Sequence, residues 1–385
     1  MFTSLRKHRG WARPEIFSGF LGFVALQLAI GGLLEFGPVV FRDPEYGSKL
    51  AELQRCLKAN PGKSLVLVLG SSRTLYGLRC TRLKAVTEGS NTVVFNYGLA
   101  GAGPVQELAH LRSLFRAGVK PDLLLIELVP AVLNQRDAYP LEEGWLHGSR
   151  FQLRELLAAS EYSYRPWRLR WQWGLSRTLP LCVQSQVRTR IMGAIGWSGS
   201  ADDVPDAYYQ FGYREVWQTV TPDDRMRFTA LARSQYEDAL GEFRLAARSV
   251  RALEEIVETC RNKQVPAAMI LMPEGTEFRS LYSRQARTQI DAILARLSRA
   301  WGMPVFNASE WVGDDGFWDG HHMLPKGADE FTGRMFEAVN GMLLDMLAAI
   351  ARKDYEDRRR RQMQGQAKAR AEGPRRPISS RCARP

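Results

Sequence analysis

The chain has 385 residues, 45% hydrophobic and 24% charged. This ordinary globular composition excludes a wholly disordered, collagen-like or polytopic membrane protein. The net charge of +12 sits at the two ends: residues 1–14 carry Arg6, Lys7, Arg9 and Arg13 without an acid, residues 352–385 carry a net +8, and the body between is neutral. A nucleic-acid interface wants a basic face on the folded body, so no nucleic-acid partner is expected.

The first element is apolar. Ile16 to Leu34 is 19 residues without a charge. As a helix it spans ~28 Å, close to the hydrocarbon thickness of a bilayer. Basic residues precede it and Glu35 ends it, so the positive-inside bias keeps the N-terminus in the cytoplasm and carries the main domain across. A cleaved signal peptide is the alternative, but its apolar core is shorter and ends in small residues, whereas Glu35-Phe36-Gly37-Pro38 follows here. The expected layout is a cytoplasmic basic segment (1–15), a transmembrane anchor (16–41) in the plasma or inner membrane, an extracytoplasmic domain (42–351) and a disordered basic tail (352–385).

Past a short connecting helix within 42–62, Ser64 to Leu69 is a β-branched and leucine run closed by Gly70. It reads as a strand buried on both faces. Strands follow at 92–95, 122–126, 266–272 and 304–306, with helices at about 104–117, 226–262, 282–300 and 326–351. Alternation of this kind predicts an α/β fold with a doubly wound, mainly parallel five-stranded sheet. Residues 145–225 interrupt the rhythm and read as a largely helical insertion. It holds Trp167, Trp171, Trp173 and Trp197 among arginines, a pattern open to a substrate cleft, a membrane surface, a partner contact or plain packing. The five cysteines, Cys56, Cys80, Cys182, Cys260 and Cys382, form no Cys-x-x-Cys pair, so neither a zinc site nor a redox pair is indicated.

Three segments fall at carboxyl ends of strands, where open α/β sheets place their chemistry. Gly70-Ser71-Ser72-Arg73 follows the first strand. It exposes a serine hydroxyl at a strand-to-helix turn beside backbone N–H groups able to hold an oxyanion, or serves only as a turn and helix cap. Asn96 to Gly103 follows the second strand and carries Gly98, Gly101 and Gly103, whose spacing is neither a dinucleotide fingerprint nor a phosphate loop. Asp319-Gly320-His321-His322 precedes the last helix. An Asp and a His three apart on a turn can orient one imidazole nitrogen and leave the other as general base to a serine. A structural histidine pair is one alternative. A metal site completed by Asp314 or Asp315 is another, but no recognised metal spacing is present.

Together the three segments resemble the SGNH/GDSL hydrolase superfamily, over roughly 64–130 and 265–350. The resemblance implies a flavodoxin-like SGNH fold without cofactor or metal, with Ser72 as nucleophile and Asp319 and His322 completing the triad. It makes Gly101 the oxyanion glycine and Gly98 and Arg73 further oxyanion or substrate-binding candidates. His321 has the wrong spacing. Two departures stand out. Ser71 replaces the usual aspartate, and Ile126-Glu127-Leu128 replaces the block whose asparagine adds an oxyanion donor; Glu127 there reads as a polar strand end. Membrane-tethered relatives with these departures, the SGNH-like proteins of alginate O-acetylation and the D protein of teichoic-acid D-alanylation, look similar. They imply transfer or removal of an acyl group on a cell-envelope polysaccharide beside a membrane-bound O-acyltransferase. The alternative is a catalytically inactive scaffold that binds such a partner or a glycan.

Overall fold

Apolar runs too short for helices and bounded by turn residues become the strands of one sheet. In the computed structural model these are β1 (Ser64–Gly70), β2 (Thr92–Gly98), β3 (Leu123–Glu127), β4 (Ala267–Leu271) and β5 (Val305–Asn307). The order is β2-β1-β3-β4-β5, with every neighbouring pair parallel. The order reverses between β1 and β3, so a crevice opens beyond their carboxyl ends. The structure describes residues 14–81, 92–135, 139–180, 210–214, 219–339, 341, 359–360 and 362–364.

The chain divides into two compact units, 1–332 and 333–385. In the first, helices α1 (Pro14–Phe36), α2 (Pro44–Ala59), α3 (Ser72–Gly77), α4 (Pro104–Arg116), α5 (Leu153–Tyr162), α6 (Pro166–Thr178), α7 (Pro222–Gly241), α8 (Ala247–Asn262) and α9 (Arg284–Trp301) surround or extend the sheet. A further helix, α10, opens at 325. In the second unit, residues 333–339, 341, 359–360 and 362–364 are helical, and the remainder of the basic tail lies outside the described residues.

The core is made by both faces of the sheet. On one face Leu65, Leu67, Leu69, Phe95, Leu124, Ile126 and Met269 are buried with Leu108 and Leu111 of α4 and Leu253 and Ile256 of α8; on the other Val66, Val68, Leu125 and Ile270 are buried as well. Cys56, Cys80 and Cys260 are buried free thiols; Cys182 and Cys382 lie outside the described residues.

Residues 15–36 of α1 are long and apolar enough to cross a membrane. The end of this helix is held by the insertion. Glu35 accepts from the Leu153 N–H (2.7 Å), Trp173 Nε1 (3.2 Å) and Arg177 Nε (3.0 Å). The Arg177 carbonyl lies so close to Gly31 that any side chain there would collide with it.

One expected element is corrected. The helix expected over about 226–262 is two, α7 and α8, broken at 242–246. Asn134, from the segment after β3, caps the break. Its Nδ2 donates to the Ala239 and Glu242 carbonyls (2.7 and 2.9 Å), and its Oδ1 accepts the Arg244 N–H (2.6 Å). Phe243 is buried beside it, so α7 departs across the crevice while α8 packs on the sheet.

Candidate active site

Ser71 is the N-cap of α3. Its hydroxyl accepts the Arg73 N–H at 3.1 Å, which places Ser72 at the first helical position with its side chain toward the crevice. The turn between β1 and α3 is tight. A side chain at Gly70 would collide with Thr74 and Glu127, and one at Gly98 with the Leu75 N–H.

The other half of the site is a small closed loop. Phe317 and Met323 form an antiparallel bridge, and the Trp318 N–H donates to the His322 carbonyl at 3.1 Å. Gly320 turns the loop at φ +87°, a conformation suited to glycine. Asp319 Oδ1 then accepts the N–H groups of His321 (3.0 Å) and His322 (2.8 Å). Its Oδ2 lies 2.7 Å from His322 Nδ1, and His322 Nε2 lies 2.8 Å from Ser72 Oγ. With the proton on Nδ1 facing the carboxylate, Nε2 offers its lone pair to the serine hydroxyl. Tyr76 and Trp318 stand edge-on to the His322 ring, at 5.4 and 5.6 Å between centroids.

Electrostatics favour that proton arrangement. Burial alone would raise the Asp319 carboxyl, but the facing His322 ring and two backbone N–H groups hold it well below the ordinary carboxylate range. Burial pushes His321 well below the ordinary histidine value, with His322 adding to the effect. His321 is therefore neutral, enclosed by Tyr236 and Phe278. Ligand atoms of Asp319, His321 and His322 lie within 4.8 Å of one another, but both nitrogens of His322 are engaged by Ser72 and Asp319. The aspartates weighed as extra metal ligands lie elsewhere: Asp314 accepts the Thr276 N–H at 2.6 Å and Asp315 pairs with Lys326.

Ser72, His322, Asp319 and Gly101 line one cleft of about 510 Å³. Gly101 adopts φ +71°, and a Cβ there would lie 2.9 Å from Trp145. Among the described residues, neither the Ser72 nor the Gly101 N–H donates to a backbone carbonyl. Three sequence expectations are corrected. Gly98 lies under α3 instead of lining the cleft, and its carbonyl accepts Lys49 Nζ at 2.5 Å. Arg73 lines the cleft, but its guanidinium is buried and paired with Glu274 at 2.6 Å, so it belongs to the wall. Glu127 is more than a polar strand end: it accepts from the Ser71 N–H (2.7 Å), Ser71 Oγ (2.9 Å), the Thr74 N–H (3.3 Å) and Thr74 Oγ1 (2.6 Å).

Of the insertion's tryptophans, Trp145, its first residue, lines the cleft, whereas Trp167, Trp171 and Trp173 do not. Trp167 and Trp171 are exposed, Trp173 bonds to Glu35, and Trp197 lies outside the described residues. Beside Trp145 the cleft takes, from α7, Phe228, Leu231, Ala232 and Tyr236. Sequence reasoning missed these residues, and no motif marks them; only the break before α8 could have freed α7 to reach the site.

A family described as a protein of unknown function, DUF1574, matches residues 47–148. Among solved structures the chain is similar to a GDSL-like lipase from Bacteroides thetaiotaomicron (11% identity, 77% of this chain and 99% of that one, TM-score 0.35). It is also similar to a carbohydrate acetylesterase family member from Sinorhizobium meliloti (14%, 73% and 99%, TM-score 0.31) and to AlinE4, an SGNH-hydrolase family esterase (14%, 74% and 98%, TM-score 0.30). No curated protein sequence matches the chain.

Proposed function

We propose that this chain is a membrane-anchored SGNH-type serine esterase or O-acyltransferase, acting outside the cytoplasm on O-acyl groups of a cell-envelope polymer. One observation carries the reading: the unbroken chain from Ser72 Oγ through His322 to Asp319, at 2.8 and 2.7 Å.

In this reading Ser72 Oγ attacks the ester carbonyl as its proton passes to His322 Nε2. Asp319 steadies the imidazolium through Nδ1. The oxyanion sits against the Ser72 and Gly101 N–H groups. Collapse breaks the ester C–O bond, and the leaving alkoxide takes the proton from Nε2. The acyl-serine is then attacked by water in hydrolysis or by a sugar hydroxyl in transfer, with His322 again accepting the proton. A membrane-bound O-acyltransferase is the proposed partner for the transfer reaction, and α1 the membrane attachment.

Glu127, at the strand end where the superfamily places an asparagine, favours a second reading, a non-catalytic scaffold. A carboxylate donates no hydrogen bond, and one missing oxyanion donor costs about 3–4 kcal/mol of transition-state stabilisation. The discriminating experiment incubates the full chain, in detergent micelles, with a fluorophosphonate probe. Labelling is expected in the wild type and lost in Ser72→Ala and His322→Ala. Absence of labelling in folded wild-type protein, or its persistence in Ser72→Ala, overturns the enzymatic reading.

A further inference from the structure

The cleft is larger than a small acyl group needs. Its volume of about 510 Å³ falls within the range for drug-sized ligands, roughly 300–1,000 Å³, whereas an acetyl group is three heavy atoms. Around the reacting groups the remaining wall is mostly apolar: Val129 and Val132 on the side of β3, Trp145, and Phe228, Leu231 and Ala232 along α7, with Gln235 its polar member. Of the charged lining residues, Asp319 is engaged by His322, and Arg73 is buried and paired with Glu274 through Nη1, its Nη2 enclosed without a partner among the described residues, so neither charge is exposed to an ionised acyl tail. The α7 wall is firmly placed, because Tyr236, Ala239 and Leu240 of α7 are buried with Val129, Ala131 and Phe278. Leu231 nonetheless remains 64% exposed while lining the cleft, an apolar surface that a ligand chain would cover.

We propose that the acyl group taken by this site is a neutral, medium-length alkyl chain, well beyond acetyl, lying between Val129/Val132 and α7. The assignment rests on Ser72 being the nucleophile. The chain's carbonyl sits at Ser72, and its methylenes leave water against Phe228, Leu231 and Ala232. Each methylene so buried strengthens binding about fourfold. The cleft volume beyond an acetyl group therefore works as a selector for chain length.

The test measures kcat/KM of the full chain, in micelles, toward p-nitrophenyl acetate, butyrate and octanoate, alongside fluorophosphonate labelling. The octanoate-to-acetate ratio is expected to be roughly tenfold or more. Leu231→Glu, at an exposed position, and Ala232→Trp, which fills the wall, are each expected to lower that ratio roughly fivefold or more. A ratio of one or less, with labelling intact, overturns the chain-length assignment and leaves the nucleophile standing. A high ratio that neither variant changes overturns the placement along α7. Loss of both labelling and hydrolysis of every ester overturns the nucleophile and the inference together.

Discussion

At the scale of single residues, the site depends on a carboxylate that does no chemistry. Glu127 gathers two backbone N–H groups and two hydroxyls from the turn that carries Ser72. It is buried at the end of β3, so its oxygens fix the β1–α3 turn against the neighbouring strand. Glu127→Ala would strand the Ser71 and Thr74 donors away from water, each at about 1–3 kcal/mol. We expect a loss of about 3 kcal/mol in denaturant unfolding, together with loss of fluorophosphonate labelling. Glu127→Gln keeps one acceptor oxygen but replaces the other with an amide that donates, toward Ser71 Oγ or Thr74 Oγ1. Partial labelling and a smaller stability loss are expected, and a variant as stable and reactive as wild type would show that the carboxylate does not hold the turn. Gly98 acts on the same turn from beneath. Gly98→Ala would push its Cβ into the Leu75 N–H, so reduced labelling is expected although Gly98 does not reach the cleft.

At the scale of elements, α1 is tied to the insertion at one end. Glu35 is held by a backbone N–H, an indole and a guanidinium, and Gly31 allows α1 and α6 to meet at backbone distance. These contacts fix the orientation of α1 relative to the insertion. Glu35→Ala would remove the carboxylate that pairs with the largely buried Arg177 guanidinium, at about 2 kcal/mol. Spin labels at the exposed positions 36 and 171 should report a narrow distance distribution in the wild type and a broadened one in Glu35→Ala; an unchanged distribution would exclude this role. The same elements show what the sequence makes legible. The apolar run of α1, the strand blocks and the Asp-x-x-His turn are local patterns, and their periods and turn residues survive folding almost unchanged. The Glu35 cluster, the Asn134 cap that parts α7 from α8, and the Glu127 network join residues 53 to 142 positions apart. Nothing near those residues in sequence announces such contacts, since they arise only when strand order brings loops together. For the same reason Ser72, Asp319 and His322 could be picked out by motif, whereas Trp145 and the α7 wall could not.

At the scale of the whole molecule, the buried titratable groups pull stability in opposite directions with pH. Asp319 and His321 both carry folded-state values below their unfolded ones. The unfolded chain therefore binds more protons at these two groups on the acid side, and their contribution is lost as pH falls below the ordinary histidine and then carboxylate ranges. Glu142 works the other way. Its Oε1 accepts the Val105 and Gln106 N–H groups at the start of α4 (2.9 and 3.0 Å). Burial nevertheless raises its pKa from 4.5 to about 8, with the backbone N–H groups only partly offsetting this. Above pH 4.5 the carboxyl ionises in the unfolded chain but stays protonated in the folded one, so the folded state holds the extra proton and stability falls as pH climbs through 8. Glu142→Gln keeps an acceptor for both N–H groups and removes the ionisation. Its stability relative to wild type should be near zero at pH 4 and should grow by several kcal/mol in its favour by pH 8, since the carboxyl is raised from 4.5 to about 8 and each pKa unit corresponds to about 1.4 kcal/mol. Paired denaturant titrations at the two pH values read this directly. An equal effect at both would mean that Glu142 stays ionised in the folded protein, and that its charge at the α4 N-terminus stabilises the loop bearing Gly101 instead of taxing it.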